Sequence, residues 1–289
     1  MDVIRAQHLG MCFGVRDAID LALEHATHAP LTILGDLVHN ASVLATLRAR
    51  GIVTVEEPAQ VTTPVVMITA HGASARRLAG TRALGVEVVE ATCPLVHVAH
   101  RAIRALIRDG YHPVIIGQRA HVEVRGLTED LDAFDVILDE RDVEQLPERP
   151  RLGVAAQTTQ PIDRVRQLVT LIRRRFPESD VRFIDTVCLP TKQRQSAAID
   201  LARRSDVVVV IGGANSNNTR ELVSTCRRHC ARVHHAQSEA DLDPAWFASA
   251  AVVGITAGTS TPGDVVDRVE RHIRMLAGAG PVAATERAR

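Results

Sequence analysis

The sequence predicts an α/β fold in which a parallel sheet flanked by helices recurs three times along the chain. Short β-branched runs alternate with helical stretches, which is typical of parallel sheets covered by helices. The 289 residues suit two or three domains of ~100–150 residues each. Three cysteines also divide the chain into near-thirds, and a similar order of polar loops follows each one.

The individual elements follow from the apolar runs and the stretches between them. Short runs rich in β-branched residues predict strands, and the longer stretches predict helices. The predicted strands are Leu31–Leu34, Val65–Thr69, Val86–Glu90, Pro113–Ile116, Phe134–Leu138, Arg182–Ile184, Val207–Ile211, Arg232–His234 and Ala251–Ile255. The predicted helices are Val15–Glu24, Ala41–Ala49, His97–Asp109, Ile162–Phe176, Thr191–Arg204, Thr219–His229 and Gly263–Leu276.

These elements group into three predicted domains, at residues 13–95, 96–190 and 191–278. Residues 1–12 are expected to add an N-terminal strand to the third domain. Residues 279–289 are rich in small and polar types, so we expect a flexible tail there.

The composition excludes several classes of function. Lys+Arg and Asp+Glu both number 34, so the chain lacks the basic surplus of a nucleic-acid binder. Five Phe, one Trp and one Tyr are too few for a platform that stacks single-stranded bases. The N-terminal residues lack the apolar segment of a secretory signal, and no apolar run approaches the ~20 residues of a membrane span. We therefore expect a cytoplasmic protein with no nucleic-acid or membrane partner.

A weak internal repeat links the cysteines to polar loops. Cys12, Cys93 and Cys188 are 81 and 95 residues apart, and each precedes a predicted helix. A first polar loop, 27 or 28 residues after each cysteine, carries His39, His121 or Ser216, and a second carries His71, Thr158 or Ser260. Ligands bind at the C-terminal edge of parallel strands. Three facing copies would therefore bring three cysteines and six polar loops to one site.

Three converging thiols have more than one interpretation. They could hold Zn²⁺ with a water as fourth ligand. They could instead hold a four-iron cluster in which one iron lacks a protein ligand and can bind substrate as a Lewis acid. They could also be buried structural thiols, since free cysteine is among the most buried residue types. Their position before helices favours a ligand role, because a helix N-terminus lowers the pKa of a thiol.

The six loops offer hydroxyl, amide and imidazole groups, several of them directly before a helix. Such donors, together with helix N-termini, form an anion site suited to a diphosphate without lysine or arginine. Glu123 lies two residues from His121, and a water-poor pocket would raise its pKa and make it a proton donor. Gly212 and Gly213 do not fit Gly-x-Gly-x-x-Gly, so we do not expect a Rossmann dinucleotide site.

Two further cysteines, Cys226 and Cys230, lie outside the repeat. Their spacing, with His234 and His235 beyond, looks zinc-like, but His234 falls in the next predicted strand. We expect two thiols on one face of a helix, packed inward.

Nine motifs in order make the chain resemble one known family. They are Gly-Met-Cys-Phe-Gly-Val at 10–15, Gly-Asp-Leu-Val-His-Asn at 35–40, Thr-Ala-His-Gly at 69–72, Ala-Thr-Cys-Pro-Leu-Val at 91–96, His-Val-Glu-Val at 121–124, Gln-Thr-Thr at 157–159, Asp-Thr-Val-Cys at 185–188, Asn-Ser-Asn-Asn at 215–218 and Thr-Ala-Gly-Thr-Ser at 256–260. With these motifs the chain resembles the LytB/IspH family of 4-hydroxy-3-methylbut-2-enyl diphosphate reductases, which act in the non-mevalonate isoprenoid pathway. The resemblance runs from about Gly10 to Asp264.

The resemblance implies three α/β domains in a pseudo-threefold arrangement around a central [4Fe-4S] cluster. It implies Cys12, Cys93 and Cys188 as the three cluster ligands. Glu123 would relay protons, while His121 and Thr158 would order the substrate hydroxyl and a water. The diphosphate would be held by His39, His71, Ser216, Asn217, Asn218 and Ser260.

The reaction implied is a two-electron reductive dehydroxylation that gives isopentenyl and dimethylallyl diphosphates, with reduced ferredoxin or flavodoxin as electron donor. One alternative is a paralogue acting on a different diphosphate. A second is a hydro-lyase that uses the open iron without net reduction, and a third is a redox or iron sensor.

The motif around the proposed acid departs from the family pattern at Val122 and Arg125. Arg125 would add a cation that lowers the pKa of Glu123.

Overall fold

The computed structural model describes residues 1–278 and contains three four-stranded sheets in which every pair of neighbouring strands is parallel. The predicted α/β fold class is confirmed. The strands are β1 (Asp2–Arg5), β2 (Leu31–Leu34), β3 (Val53–Val55), β4 (Val65–Ile68), β5 (Glu87–Glu90), β6 (His112–Ile116), β7 (Asp135–Ile137), β8 (Arg151–Ala156), β9 (Asp180–Phe183), β10 (Val207–Ile211), β11 (Val233–Ala236) and β12 (Val252–Ala257).

Helices connect the strands, as parallel pairing requires. They are α1 (Phe13–His28), α2 (Ala41–Ala49), α3 (Ala75–Arg82), α4 (Pro94–Arg108), α5 (Val122–Thr128), α6 (Glu140–Gln145), α7 (Ile162–Arg175), α8 (Leu189–Ala202), α9 (Asn217–Arg227) and α10 (Gly263–Gly278). In the part of the chain that the structure describes, no helix combines the length and apolarity needed to cross a membrane.

The three sheets share one topology. The strand orders are β3-β2-β4-β5, β7-β6-β8-β9 and β11-β10-β12-β1. In each sheet the first and third strands of the repeat, such as β2 and β4, are adjacent and lie at the centre. The second strand lies at one edge, next to the first, and the fourth strand lies at the other edge, next to the third. The fourth strand of the last sheet is β1, which comes from the start of the chain. The weak repeat seen in the sequence is therefore a repeat of topology.

This strand order determines where each sheet can bind a ligand. A crevice forms at the C-terminal edge of an open parallel sheet, between the two strands from which the chain leaves in opposite directions. Those strands are the adjacent first and third strands of each repeat. The loops with His39 and His71, with His121 and Thr158, and with Ser216 and Ser260 follow these two strands in the three sheets.

The chain divides into two compact units. One is Cys12–Lys192, which contains the sheets β3-β2-β4-β5 and β7-β6-β8-β9. The other is Met1–Met11 together with the residues from Gln193 onward, and it contains the sheet with β1. The unit boundary falls inside α8. The division into three domains stays a prediction, and the predicted tail at 279–289 lies outside the described residues.

The central strands are continuous apolar runs because helices cover both faces of a parallel sheet. All five residues of β10, Val207–Ile211, are fully buried. The predicted inward packing of Cys226 and Cys230 is confirmed, since both thiols lie in the apolar core beside Leu201 and Val208. Burial raises the pKa of Cys226 to about 12. Cys230, however, lies beyond the end of α9 rather than on it.

Sequence analysis missed two strands and three short helices, whereas the N-terminal strand expected within residues 1–12 is observed as β1. The strand β3 was not among the predicted runs, and it has only three residues. The strand β8 reads Arg-Leu-Gly-Val-Ala-Ala, with a single β-branched residue. Its Gly153 lies against Tyr111 and Leu106, so packing rather than propensity selects glycine there. The missed helices are α3, α5 and α6, of six to eight residues.

A matched pair of glycine substitutions tests this packing. A Cβ at Gly153 would lie 2.8 Å from Tyr111 Cβ and 3.0 Å from Leu106 Cβ, so Gly153→Ala should lower the free energy of unfolding by about 1–3 kcal/mol. Gly80, exposed on α3, has no atom within 4 Å of an added Cβ. Gly80→Ala should raise the same free energy by about 0.5–1 kcal/mol. Urea unfolding measures both, and equal effects would contradict the packing argument.

Candidate functional site

The three repeat cysteines each follow the fourth strand of a sheet in sequence: β1, β5 and β9 precede Cys12, Cys93 and Cys188. Cys12 is the N-cap of α1, Cys93 is the N-cap of α4, and Cys188 directly precedes α8. The backbone N–H of Cys93 donates to Ala70 O, and that of Cys188 donates to Thr158 O, each at 3.0 Å. Two of the cysteines are thus tied to the turns that carry His71 and Thr158.

Cys93 and Cys188 each lie close enough to Cys12 to be affected by its charge. Burial raises the pKa of both Cys93 and Cys188, and the charges of Cys12 and Glu123 raise it further. The expectation that helix N-termini lower these pKa values is wrong for Cys93 and Cys188 in the metal-free chain. The thiols lose more solvation on burial than the helix ends supply in stabilisation.

The distances between the sulfur atoms of Cys12, Cys93 and Cys188 bear on whether the three thiols could bind one metal ion. Three thiolates on one tetrahedral Zn²⁺, with Zn–S bonds near 2.3 Å, would lie about 3.8 Å apart. In residues 1–278, only His39, His71 and His121 form a set of three ligand residues whose atoms all lie within 4.8 Å of one another. Cys12, Cys93 and Cys188 do not form such a set, so their three sulfur atoms do not all lie within 4.8 Å of one another.

Two residues that sequence analysis missed shape the surroundings of the thiols. A Cβ at Gly14 would lie only 2.5 Å from Cys93 Sγ, so this position of α1 must be glycine for the thiol to sit where it does. The Thr191 hydroxyl lies 3.0 Å from Cys188 Sγ. Two features of the sequence could have identified these residues. Gly14 is a glycine in the first turn of a helix, where glycine is unfavourable, and Thr191 lies three residues after Cys188.

The structure brings three predicted histidines into one group, hereafter the histidine cluster: His39, His71 and His121. The rings of His39 and His71 stack with centroids 5.0 Å apart, and His121 lies edge-on to both at 5.5 Å. Burial, together with the charges of His39 and His121, lowers the pKa of His71 well below its ordinary value. His71 is therefore neutral near pH 7 in the absence of a ligand.

The tautomer of His121 decides what the histidine cluster can bind. His121 is the N-cap of α5, and its Nδ1 accepts the backbone N–H of Glu123 at 3.1 Å. Because Nδ1 accepts, the proton of the neutral ring is on Nε2, which becomes a hydrogen-bond donor. A donor suits an anionic ligand, whereas a metal ion requires a lone pair at that atom.

The predicted acid, Glu123, lies in the first turn of α5 and is 1% exposed. Its Oε1 accepts the backbone N–H of Thr158 at 2.6 Å, and its Oε2 lies 3.0 Å from Thr158 Oγ1. Burial raises the pKa of Glu123 to about 7, although both hydrogen bonds from Thr158 act to lower it. A carboxyl group with this pKa holds or releases a proton at neutral pH, as a general acid must.

Arg125 does not have the effect expected from the sequence. Its side chain is exposed on α5, and the causes of the Glu123 pKa shift are burial and the two hydrogen bonds from Thr158. Solvent screens an exposed guanidinium, so the expectation that Arg125 lowers the pKa of Glu123 is wrong.

The predicted donors of the other unit surround the N-terminus of α9. Ser216 is the N-cap, and its hydroxyl accepts the backbone N–H of Thr219. Asn217 and Asn218 lie inside the first turn of α9, rather than in the preceding loop. Asn218 Oδ1 accepts the Thr259 N–H at 3.0 Å, next to Ser260, while its buried Nδ2 has no hydrogen-bond partner. The buried Nδ2 group of Asn218 can therefore donate a hydrogen bond to a ligand.

Comparison with known proteins decides the family. Residues 3–274 match the LytB protein family.

The chain belongs to the LytB family.

This LytB chain is 38% identical over 279 residues to a 4-hydroxy-3-methylbut-2-enyl diphosphate reductase of Geobacter sp. (strain M21), covering 96% of this chain and 98% of that protein. It is 37% identical to the reductase of Anaeromyxobacter sp. (strain K), covering 96% and 100%.

Solved structures agree with this assignment. A structure described as (E)-4-hydroxy-3-methyl-but-2-enyl diphosphate reductase, the terminal enzyme of the non-mevalonate pathway, has a TM-score of 0.69 and 32% identity, covering 95% of this LytB chain and all of its own. The Plasmodium falciparum E-1-hydroxy-2-methyl-but-2-enyl-4-diphosphate reductase has a TM-score of 0.88 over 96% of this chain and 89% of its own. Because the Plasmodium falciparum structure is only 24% identical to this chain, its similarity shows a shared fold alone.

The LytB family is known to use a [4Fe-4S] cluster. The residues present in this LytB chain fit such a group on two observations described above. The charge of Cys12 raises the pKa of both Cys93 and Cys188, so both thiols lie near Cys12, and the absence of a side chain at Gly14 leaves room for Cys93 Sγ.

Substitution of Gly14 tests this fit. In the cluster-free chain Cys93 Sγ can rotate away from an added methyl group, and the remaining 3.2 Å contact with Cys93 Cβ needs only a shift of a few tenths of an ångström, so Gly14→Ala should still fold. A bound cluster holds the sulfur in place, so the variant should bind iron about 10–100-fold more weakly. Iron and sulfide content after anaerobic reconstitution measures the effect, with Gly80→Ala as control. Wild-type iron content in Gly14→Ala would contradict the role of Gly14.

Proposed function

We propose that this chain reduces 4-hydroxy-3-methylbut-2-enyl diphosphate to isopentenyl and dimethylallyl diphosphates. The reaction takes up two electrons and two protons, breaks the allylic C–O bond and releases water. The observation that carries the proposal is the buried Glu123–Thr158 pair, which lies with the cysteine triad and the histidine cluster in one compact unit, Cys12–Lys192. Membership of the LytB family over nearly the whole chain supports the same reaction.

Cys12, Cys93 and Cys188 would hold the [4Fe-4S] cluster. When bound, such a cluster supplies electrons one at a time and offers an iron that accepts the substrate oxygen. The chain's own contribution here is the set of three thiolates, the hydroxyl of Thr191 beside Cys188 Sγ and the space beside Gly14.

Glu123 would hold the proton that allows the substrate hydroxyl to leave as water. Its pKa of about 7 keeps a large fraction of the carboxyl protonated at neutral pH. Thr158 hydrogen-bonds both carboxylate oxygens and so fixes the direction in which the proton is delivered. His121, whose Nδ1 is held by the Glu123 N–H, would order the same hydroxyl through Nε2–H. A second proton then adds to either end of the allylic fragment, which accounts for two products.

The diphosphate would be bound by donors rather than by arginine or lysine. The proposed ligands, as the family resemblance implies, are His39, His71, Ser216, Asn217, Asn218 and Ser260. The orphan Nδ2 of Asn218 and the Nε2–H of His121 support an anionic ligand, since both are donors. Reduced ferredoxin or flavodoxin is proposed as electron donor, and the cytoplasmic location stays a prediction.

Product analysis tests the reaction. We expect the cluster-replete protein, given 4-hydroxy-3-methylbut-2-enyl diphosphate and a reduced low-potential dye under anaerobic conditions, to form isopentenyl and dimethylallyl diphosphates. Turnover should stop when the dye is omitted. Turnover without reductant would instead indicate a hydro-lyase, and the absence of both products with an intact cluster would indicate a paralogue with another substrate.

Substitution of Glu123 tests the proton donor. Glu123→Gln should bind substrate but lose about 10²–10⁴-fold in kcat, because the amide cannot supply a proton. Since the protonated carboxyl is the active form, wild-type kcat should fall as pH rises above about 7. That limb should be missing from the residual activity of the variant. Arg125→Gln, an exposed neighbour on α5, is the control and should retain both the rate and the pH limb.

A further inference from the structure

We infer that Glu129 and Asp130, at the C-terminal end of α5, act as positioning residues that hold His71 in register with His121 and Glu123. We call this pair of carboxylates the α5 clamp. The inference rests on the proposed function, because it assigns the α5 clamp a role in binding the diphosphate. It concerns residues outside the cysteine triad, the histidine cluster and the Glu123–Thr158 pair.

The α5 clamp joins two elements that carry different parts of the site. His121 and Glu123 stand at the start of α5, whereas His71 stands four residues before α3, which begins at Ala75. His71 follows a strand of the sheet β3-β2-β4-β5, and α5 follows a strand of the sheet β7-β6-β8-β9. No backbone hydrogen bond of either sheet connects them, so other contacts must set the distance between their imidazoles.

Three hydrogen bonds provide that connection. Asp130 Oδ2 accepts the Ala75 N–H at 2.6 Å, and Asp130 Oδ1 accepts the Arg76 N–H at 3.0 Å. Glu129 Oε2 accepts the Ser74 hydroxyl at 2.6 Å. Asp130 therefore satisfies two of the free N–H groups at the start of α3 with a negative charge, which the helix dipole favours.

Backbone packing makes the link stiff. Gly126, in the middle of α5, lies against Ala73, and a Cβ there would be 3.5 Å from Ala73 Cα and 3.6 Å from the Gly72 carbonyl oxygen. Gly72 has a positive φ of 74°, so the turn after His71 has a conformation that favours glycine. The segment from Gly72 to Arg76 is thus held along one side of α5, and His71 is held with it.

The chain offers a matched control in Asp139. Asp139 caps α6 by accepting the N–H groups of Arg141 and Asp142, the same chemistry that Asp130 performs on α3. The helix α6 carries none of the proposed site residues. Substitutions of the two aspartates to alanine should cost similar stability, but only that of Asp130 should move His71.

The test compares Asp130→Ala, Asp130→Asn and Asp139→Ala in cluster-replete protein. For Asp130→Ala we expect KM, and the Kd for inorganic diphosphate measured by calorimetry, to rise about tenfold, with kcat within about twofold of wild type. The fall of kcat above pH 7 should be unchanged, because Glu123 and Thr158 are untouched. Asp130→Asn retains one acceptor oxygen and should restore part of the affinity. Asp139→Ala should shift only the urea midpoint.

Each outcome decides the inference. Unchanged KM and Kd in Asp130→Ala would overturn it, as would an equal rise of both in Asp139→Ala. A loss of kcat or of the pH limb in Asp130→Ala, with KM unchanged, would also overturn it. If wild-type protein forms no product, the proposed function fails, but the calorimetric comparison with inorganic diphosphate still tests the α5 clamp.

Discussion

The burial of the Glu123 carboxyl group against Thr158 is the interaction on which the rest of this site depends. It connects the start of α5 to the loop after β8, and so joins the two central strands of one sheet at their C-terminal edge. The Thr158 carbonyl in turn accepts the backbone N–H of Cys188. Thr158 therefore links the proposed proton donor, Glu123, to a proposed cluster ligand, Cys188, and burial raises the pKa of Glu123 to about 7.

A competition between desolvation and local stabilisation recurs across the site. Cys93 lies at a helix N-terminus and Cys188 directly before a helix, yet burial raises the pKa of both thiols. Glu123 receives two hydrogen bonds, yet burial raises its pKa as well. His71 is kept neutral by burial and by its neighbouring imidazoles. In each case the ligand-free protein favours the uncharged form, so binding of a cationic cluster or an anionic substrate would shift the protonation of the group it contacts.

The parallel sheet explains why one arrangement could be used three times. Each repeat places two loops at the C-terminal ends of its adjacent first and third strands. A polar residue that directly follows either strand lies at the C-terminal edge of the sheet, whichever residue type it is. Histidines follow β2, β4 and β6, whereas hydroxyl residues follow β8, β10 and β12. The scaffold constrains position, and the residue type at each position determines chemistry. The α5 clamp adds a contact between two such repeats that the shared topology does not provide.

The sequence by itself determined the α/β class, five of the six central strands, the cysteines and the polar loops, because apolar runs and the order of motifs are local signals. It missed β8 and α5, since Gly153 and the short helix are selected by their neighbours: Leu106 and Tyr111 in one case, Ala73 and Asp130 with Ala75 in the other. It also misjudged the pKa values of the thiols and the influence of Arg125. Only the tertiary structure decided these points, because burial and the distance between charges depend on residues far apart in the chain.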